Sequence, residues 1–341
     1  MDWHDSIWIA IALIVCLLAL GVLAPRALRR RKQLPPRTTQ RTQPSPSKSD
    51  LASHAPAARL PTADTESTDG ATADRADRVE HTPGPVSPRR IRVIKRPLPT
   101  RHPIVLAHGW GGLESFLPVQ LGYSYFRGIP EALRARGHVV HVVTVSPTAS
   151  IELRAKQLVD QIERIDQRVN IIAHSMGGLD ARLAISRFGL HERVASLTTI
   201  GTPHHGTPLA DAAFLLGEWR RSRGLLSRLG LNVDGVYDVS TARMKEFNRE
   251  VCNVPGVMYT NVVAAVDLDA GGVHAMLSYG HRYLLRTAGE NDGVVPAMSQ
   301  VWGETLEEVD ADHWAQIGWF AQFDVHGFYA RIAKRLVERE L

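Results

Sequence analysis

One short stretch, residues 169–185 (VNIIAHSMGGLDARLAI), constrains the fold more than any other part of the chain. The apolar residues at its start are typical of a buried strand, and those after Gly178 recur at helical spacing. Ser175 therefore lies where a strand turns sharply into a helix. Ala173 and Gly177 are small enough for the strand and the helix to approach each other. The pattern predicts an exposed serine at the carboxyl end of a strand, although an ordinary turn packed with glycines would look similar.

Strand and helix patterns alternate on both sides of this stretch. The segments PIVLAHG, HVVHVVTV and VASLTTIG predict strands, whereas IELRAKQLVDQIERI, GLDARLAISRFG and the terminal FDVHGFYARIAKRL predict helices. Such alternation is typical of an α/β fold with a mainly parallel sheet covered by helices on both faces. In these folds, ligands bind at the carboxyl ends of the strands, where Ser175 is expected.

An uncharged apolar run, residues 7–24, is long enough to cross a membrane as a helix. Acidic MDWHDS precedes it and basic RALRRRK follows it, the reverse of the charge order in a cleaved signal peptide. We therefore expect an uncleaved transmembrane anchor with a basic flank, residues 1–32, rather than a buried soluble helix. The basic flank favours a cytoplasmic location for the rest of the chain, with a periplasmic or extracellular location as the alternative.

Residues 33–99 are rich in Pro, Ser, Thr and Ala and contain few large apolar side chains, so we expect a disordered linker before a folded domain at residues 100–341. The net charge of the chain is +5, but much of the basic excess lies beside the apolar run. We therefore expect no nucleic-acid partner. The two cysteines, Cys16 and Cys252, lie too far apart in this organisation to predict a disulfide.

An exposed serine becomes a nucleophile only with a base, a group that orients the base, and donors for an oxyanion. In the chain order nucleophile, acid, histidine, the best acid is Asp292, in a Gly-Glu-Asn-Asp-Gly turn after an apolar segment, YLL, that we interpret as a strand. Only His313 and His326 follow it. His313 lies in a polar loop and His326 opens the terminal helix, so His313 is the predicted base.

Two backbone amides are the expected oxyanion donors. One is the N–H of Met176, directly after the serine, and the other is the N–H of Trp110 in the glycine-containing loop LAHGWGG. His108 is expected to brace this loop by hydrogen bonding rather than to act on a substrate. The glycine spacing fits neither a phosphate-binding loop nor a dinucleotide fingerprint.

Several motifs in the same order, HGWGG, AHSMGGLDAR, TTIGTPHHGTPLAD and NDGVVP, resemble those of the bacterial triacylglycerol lipases of the Pseudomonas and Burkholderia type. The resemblance covers essentially all of residues 102–341. It implies the α/β-hydrolase fold, with Ser175, Asp292 and His313 as catalytic triad and Trp110 and Met176 as oxyanion donors. The family usually has glycine where Ala173 stands, and the alanine form resembles the small Bacillus lipases.

The resemblance also implies a structural calcium ion, held partly by an aspartate shortly before the catalytic acid and another two residues after the catalytic histidine. Asp269 is a weak candidate for the first ligand, but Ala315 stands at the second position. A hard cation needs several oxygen ligands, so we predict no bound metal and no other cofactor.

Residues 204–248 occupy the position of a lipase lid, and their apolar and basic residues suit either a helix over an apolar cleft or a packed surface helix. The expected function is cleavage of carboxylic esters of lipids or other acyl chains. Phospholipase, thioesterase and short-chain carboxylesterase are the alternatives within the same chemistry. From another class, the chain could be a membrane-tethered interaction module with an inactive hydrolase fold. The oligomeric state is not predicted.

Overall fold

The computed structural model describes residues 98–111, 124–215, 234–267, 272–319 and 322–341. The predicted anchor and nearly all of the predicted linker lie outside these residues, as do Asp269 and the middle of the lid-like segment. Among the helices of the described residues, none combines the length and the apolar character needed to span a membrane. The anchor therefore stays a prediction.

The described residues form a parallel six-stranded sheet with the strand order β2-β1-β3-β4-β5-β6. The strands are Ile104–Ala107 (β1), Val140–Val143 (β2), Val169–His174 (β3), Val194–Ile200 (β4), Met258–Ala265 (β5) and Glu304–Asp310 (β6). Strand β3, which carries the predicted nucleophile at its end, pairs with β1 on one side and β4 on the other. The predicted α/β class is confirmed.

Helices connect the strands and cover the sheet. They are Ile129–Ala135 (α1), Ile151–Ile162 (α2), Gly177–Arg187 (α3), Pro208–Leu215 (α4), Asp234–Asp238 (α5), Thr241–Glu250 (α6), Ser278–Thr287 (α7), Ala297–Gln300 (α8) and Val325–Glu338 (α9). Short 3-10 helices lie at Leu190–Glu192, Ala275–Leu277 and Ala315–Ile317.

Two apolar layers lie on opposite faces of the sheet. Alternate residues of each strand point to opposite faces, so Ile104 of β1 packs with α1 and α9, while its neighbour Val105 packs with α2 and α3. All four residues of β1 are buried, as expected for a parallel strand covered on both faces. Ser175 therefore follows a central strand whose position is set by packing from both sides.

One predicted strand is wrong. The apolar YLL before Asp292 lies in helix α7, whose buried residues His281 and Leu284 are three positions apart and therefore share one helix face. The strand that leads towards the acid is β5, whose next residue, Val266, donates its N–H to the carbonyl of Asn291 at 3.1 Å. This contact places Asp292 beside the carboxyl end of the sheet, although α7 separates it from β5 in the chain.

Candidate active site

Ser175 lies in a tight turn between β3 and α3. Its φ is +56°, in the left-handed region that residues other than glycine rarely adopt. The glycines that follow are required by space, because a Cβ on Gly177 would lie 2.6 Å from the carbonyl oxygen of His108. A Cβ on Gly178 would meet the hydroxyl of Thr202. The predicted turn between strand and helix is observed, with its backbone strain at Ser175. The serine is not exposed as predicted, because its side chain lies in the wall of a cavity and is only 9% exposed.

Three side chains from three separate loops meet at this turn. His313 Nε2 lies 2.9 Å from Ser175 Oγ, and His313 Nδ1 lies 2.7 Å from Asp292 Oδ2. The ionised carboxylate can only accept, so the N–H at Nδ1 donates to Asp292 and Nε2 is free to accept the serine proton. Asp292 is fully buried, and its Oδ1 accepts the N–H groups of Val294 and Val295. The sequence-predicted residues are therefore brought into hydrogen-bond contact.

His326 does not take part in this arrangement. It is exposed near the start of α9, and its Nε2 lies 3.3 Å from the backbone carbonyl oxygen of Arg127. The choice of His313 over His326 agrees with the geometry.

Trp110 and Met176 line the same cavity as Ser175. The loop that carries Trp110 approaches the nucleophile closely, since a Cβ on Gly109 would lie 2.6 Å from the Cβ of Ser175. Of the backbone hydrogen bonds between described residues, none uses the N–H of Trp110 or of Met176. Both amides are therefore available for an oxyanion.

The loop after β1 is braced by His108, as expected. The N–H of Val145 donates to His108 Nε2 at 3.1 Å, so the ring proton is on Nδ1, which donates to the carbonyl of Gly109 at 2.8 Å. Burial and the nearby Arg154 lower the pKa of His108 to about 3. The ring is consequently neutral, and its two hydrogen bonds hold the loop after β1 in place.

A buried ion pair lies beneath the same loop, and sequence reasoning missed it. Arg154 Nη2 lies 2.7 Å from Asp180 Oδ2 and also donates to the carbonyl of His108, while Nη1 donates to the carbonyl of Ser146. Burial raises the pKa of Asp180 to about 6, although Arg154 opposes this rise. The sequence did carry one signal for it: Arg154 lies three residues after Ile151 and four before Leu158, and therefore on the apolar, buried face of α2.

An apolar cavity of about 180 Å³ opens next to Ser175. Its wall is formed mainly by aliphatic side chains from the two flanks of the lid-like segment, from the 3-10 helix Ala275–Leu277 and from the turn around Asp292. These are Leu209, Val236, Val239, Leu277, Val294 and Val295. Met276 and Tyr279 also line the cavity while remaining 38% and 54% exposed. The site can therefore accept an apolar chain beside a nucleophile.

The two flanks of the lid-like segment are hydrogen-bonded to each other, and one of them also binds the rest of the domain. The carboxylate of Asp211 on α4 accepts both the N–H and the hydroxyl of Thr241 at the start of α6, at 2.9 and 2.8 Å. Asp238 on α5 accepts the N–H of Ile151 at 2.8 Å. A Cβ on Gly235 would lie 2.9 Å from Trp110 Cδ1, so α5 packs directly against the predicted oxyanion loop.

The residues around His313 do not fit a calcium site. Ala315 offers no carboxylate, and the neighbouring Asp312 is fully buried with its oxygens already occupied. Asp312 Oδ1 accepts the N–H groups of Trp314 and Ala315, and Oδ2 accepts the N–H of His274 at 2.6 Å. Within the described part of the chain, which excludes Asp269, no group of three His, Cys, Asp or Glu could hold a metal ion.

A serine in a left-handed strand-to-helix turn, with a histidine and an acid on later loops of a parallel sheet, is the arrangement typical of the α/β-hydrolase fold. A family profile described as "PGAP1-like alpha/beta domain" matches residues 150–221.

Curated relatives are triacylglycerol lipases. That of Vibrio cholerae is 41% identical over 117 residues, which cover 33% of this chain and 36% of the relative. Triacylglycerol lipase 2 of Saccharomyces cerevisiae is 33% identical over 212 residues, or 58% of this chain and 64% of the relative. The chain thus spans from about a third to just under two thirds of these relatives. Its resemblance to lipases is confirmed, including to that of Burkholderia plantarii.

Solved structures support the same fold. The mature Bacillus licheniformis lipase BlEst2 matches with a TM-score of 0.56 at 24% identity, over 71% of this chain and 94% of that one. Staphylococcus hyicus lipase matches with a TM-score of 0.57 at 18% identity, over 72% and 98%. The chain is therefore similar to triacylglycerol lipases in sequence and has the fold of the α/β-hydrolase superfamily.

Proposed function

We propose that the chain is a serine hydrolase that cleaves carboxylic esters of lipids or other acyl chains. The observation that carries this proposal is the hydrogen-bonded series from Ser175 through His313 to Asp292 at the mouth of an apolar cavity. The curated relatives named triacylglycerol lipase support the same reaction.

In the proposed mechanism, His313 Nε2 takes the proton of Ser175 as Oγ attacks the ester carbonyl. The amides of Trp110 and Met176 stabilise the tetrahedral oxyanion, and Asp292 holds the imidazolium in place. His313 then protonates the leaving alcohol, and an acyl-serine remains. Water, deprotonated by His313, attacks the acyl-serine and forms a second tetrahedral intermediate. As this intermediate collapses, the carboxylic acid leaves and His313 returns the proton to Ser175 Oγ. The residues supply the whole proton path.

The cavity favours acyl substrates. Aliphatic side chains dominate its wall, so an extended apolar chain gains burial there, whereas a charged group would lose hydration without a partner. We also propose that residues 204–248 cover this cleft as a lid. Support comes from its flanking helices, because Leu209 of α4 and Val236 of α5 both line the cavity.

The proposed function is tested by measuring the rate of hydrolysis of p-nitrophenyl esters from acetate to palmitate, with and without an emulsified interface. The Ser175→Ala variant serves as the blank. We expect turnover that rises beyond acetate as the acyl chain fills the apolar cavity. A phospholipid and an acyl thioester of matched chain length separate the phospholipase and thioesterase alternatives. Absence of turnover on every substrate by folded protein would contradict the proposal and favour the inactive interaction module.

Chelation is expected to change neither hydrolysis nor the melting temperature. Ala315 removes a carboxylate from the position implied by the lipase resemblance, and three backbone N–H groups already bind the two oxygens of Asp312. Thermal melts and ester assays with EDTA, then with added calcium, test this. A decrease in Tm with EDTA that calcium restores would contradict the prediction, because it reveals a bound ion that stabilises the fold.

We propose in addition that residues 7–24 anchor the protein with the hydrolase domain on the cytoplasmic side. The acidic MDWHDS before the apolar run and the basic RALRRRK after it support this orientation. Spheroplasts that express the chain, treated with an external protease, should keep the Pro-rich residues 33–99 intact until the membrane is permeabilised. Immediate release of a fragment beginning near Thr100 would instead indicate the periplasmic or extracellular alternative.

A further inference from the structure

Gln316 contacts the acid of the triad directly. It lies in the 3-10 helix Ala315–Ile317, three residues after His313, and is fully buried. Its Nε2 lies 2.9 Å from Asp292 Oδ2, the same oxygen that lies 2.7 Å from His313 Nδ1. Two donors therefore converge on the oxygen that orients the histidine.

The charge of Asp292 dictates the direction of the hydrogen bonds beyond Gln316. A carboxylate only accepts, so the amide NH₂ of Gln316 points to Asp292 and its Oε1 points to His174 Nε2, 3.2 Å away. His174 must then carry its proton on Nε2, which leaves Nδ1 to accept the hydroxyl proton of Tyr125 at 2.7 Å. The result is one directed series of donors from Tyr125 to Asp292.

The surroundings support this order. Burial and the neighbouring His313 lower the pKa of His174 well below its usual value, so its ring is neutral, as the series requires. Gly201, at the end of β4, has a φ of +57°, and a Cβ there would lie 3.1 Å from Asp292 Oδ2 and against Gln316 Oε1. The glycine makes room for the contact between amide and carboxylate.

We propose that Gln316 is a positioning residue for the hydrolysis reaction, ordered in turn by His174 and Tyr125. It holds Asp292 Oδ2 in the plane where that oxygen accepts the Nδ1–H of His313, and so keeps Nε2 directed at Ser175. Hydrogen bonds to a charged acceptor are stronger than neutral ones, and the carboxylate is buried away from water that could replace the donor. The inference rests on the proposed function.

The first test compares Gln316→Leu with the wild-type chain on a p-nitrophenyl ester. We expect kcat to decrease about 10- to 100-fold, the equivalent of one hydrogen bond to a charged group, with KM nearly unchanged because Gln316 does not line the cavity. Tyr125→Phe removes a neutral hydrogen bond two links away and should lower kcat less, by about 5-fold at most.

The sharper test is Gln316→Glu, which places a second carboxyl group against Asp292. At low pH the two carboxyl groups share a proton, and the introduced group in its protonated form supplies an O–H donor to Asp292 in place of the lost amide. As pH rises, that proton leaves and the donor becomes a repelling charge. The activity of Gln316→Glu relative to wild type should therefore increase as pH is lowered, whereas that of Gln316→Leu should stay constant.

Three titratable groups of the described residues lie next to Gln316 and Asp292, directly or through one hydrogen-bonded neighbour, and the ratio to wild type removes what they contribute equally in both chains. They are His313 from the loop after β6, His174 from the end of β3 and, through His174, Tyr125 before α1. Asp312, in the same loop, is held by backbone amides.

Asn170→Ala is the matched control for lost stability. Asn170 is a fully buried amide at the opposite end of β3 from Ser175, where its Oδ1 accepts the hydroxyl of Ser196. It should lower Tm and leave kcat unchanged. If wild type hydrolyses no ester, the proposed function fails. If wild type is active while Gln316→Leu keeps its kcat, or while Gln316→Glu shows a constant ratio across pH, only the inference about Gln316 is overturned.

Discussion

Replacing Ser175 with alanine is expected to lower kcat for ester hydrolysis by about 10⁴- to 10⁶-fold without unfolding the domain. The side chain forms the acyl intermediate, and the variant retains only the contributions of the oxyanion amides and of substrate binding. Asp292→Asn and His313→Ala should each lower kcat by several orders of magnitude. The double variant Ser175→Ala/His313→Ala should be no worse than either single variant, because the residues act as a unit.

His326→Ala is the control for this series. His326 is exposed and its ring lies near the backbone carbonyl of Arg127, so its removal should leave kcat within about twofold of wild type. Steady-state kinetics on one ester, with circular dichroism to verify folding, measure all of these variants. An inactive His326→Ala beside an active His313→Ala would show that the base has been assigned wrongly.

Arg154→Met is expected to cause the largest loss of stability. The substitution leaves the Asp180 carboxylate buried with no cation and removes the donors to the carbonyls of His108 and Ser146. Breaking one partner of such a pair costs about 3 to 5 kcal/mol, or about 6 to 20 °C in Tm for a domain of this size. Because the His108 carbonyl belongs to the oxyanion loop, kcat should also decrease.

The double variant Arg154→Met/Asp180→Leu separates the two effects. It removes both charges, so it should regain much of the stability lost in Arg154→Met, since apolar replacements of buried ion pairs are often neutral. Its kcat should stay low, because the donors to the loop carbonyls are still missing. A double variant no more stable than Arg154→Met, or one with wild-type kcat, would contradict this account of the ion pair.

The stability deficit of Arg154→Met should also depend on pH. Burial raises the pKa of Asp180 to about 6, so the stability linked to its protonated form is complete below the unfolded value and is lost as pH rises through 6. Without Arg154, ionisation becomes still more costly. The Tm difference from wild type should therefore be smaller at about pH 5 than at about pH 8.

The sequence predicted the parts of the fold and site that depend on local pattern. The turn at Ser175 follows from small residues at fixed spacing, and the order of Asp292 and His313 follows from their positions in turns after it. The sequence analysis also expected His108 to brace the glycine-containing loop by hydrogen bonding, and its ring does so.

Other features depend on tertiary contacts that no local pattern reveals. The segment before Asp292 was misassigned because a short apolar run fits a strand or one face of a helix equally well. Only the folded structure shows that this run belongs to helix α7 and that the strand leading towards the acid is β5. Gln316 and Arg154 lack a motif, since their roles arise from atoms of distant segments that meet only in the folded chain.

The most direct test of the central claim is the site of covalent labelling by a fluorophosphonate probe. The probe reacts with a serine hydroxyl only where a base and oxyanion donors activate it. We expect intact-mass analysis to show a single adduct, peptide mapping to place it on Ser175, and His313→Ala to lose nearly all of it. A folded wild-type chain that stays unlabelled, or that carries the label on another residue, would contradict the assignment of this site as a serine hydrolase centre.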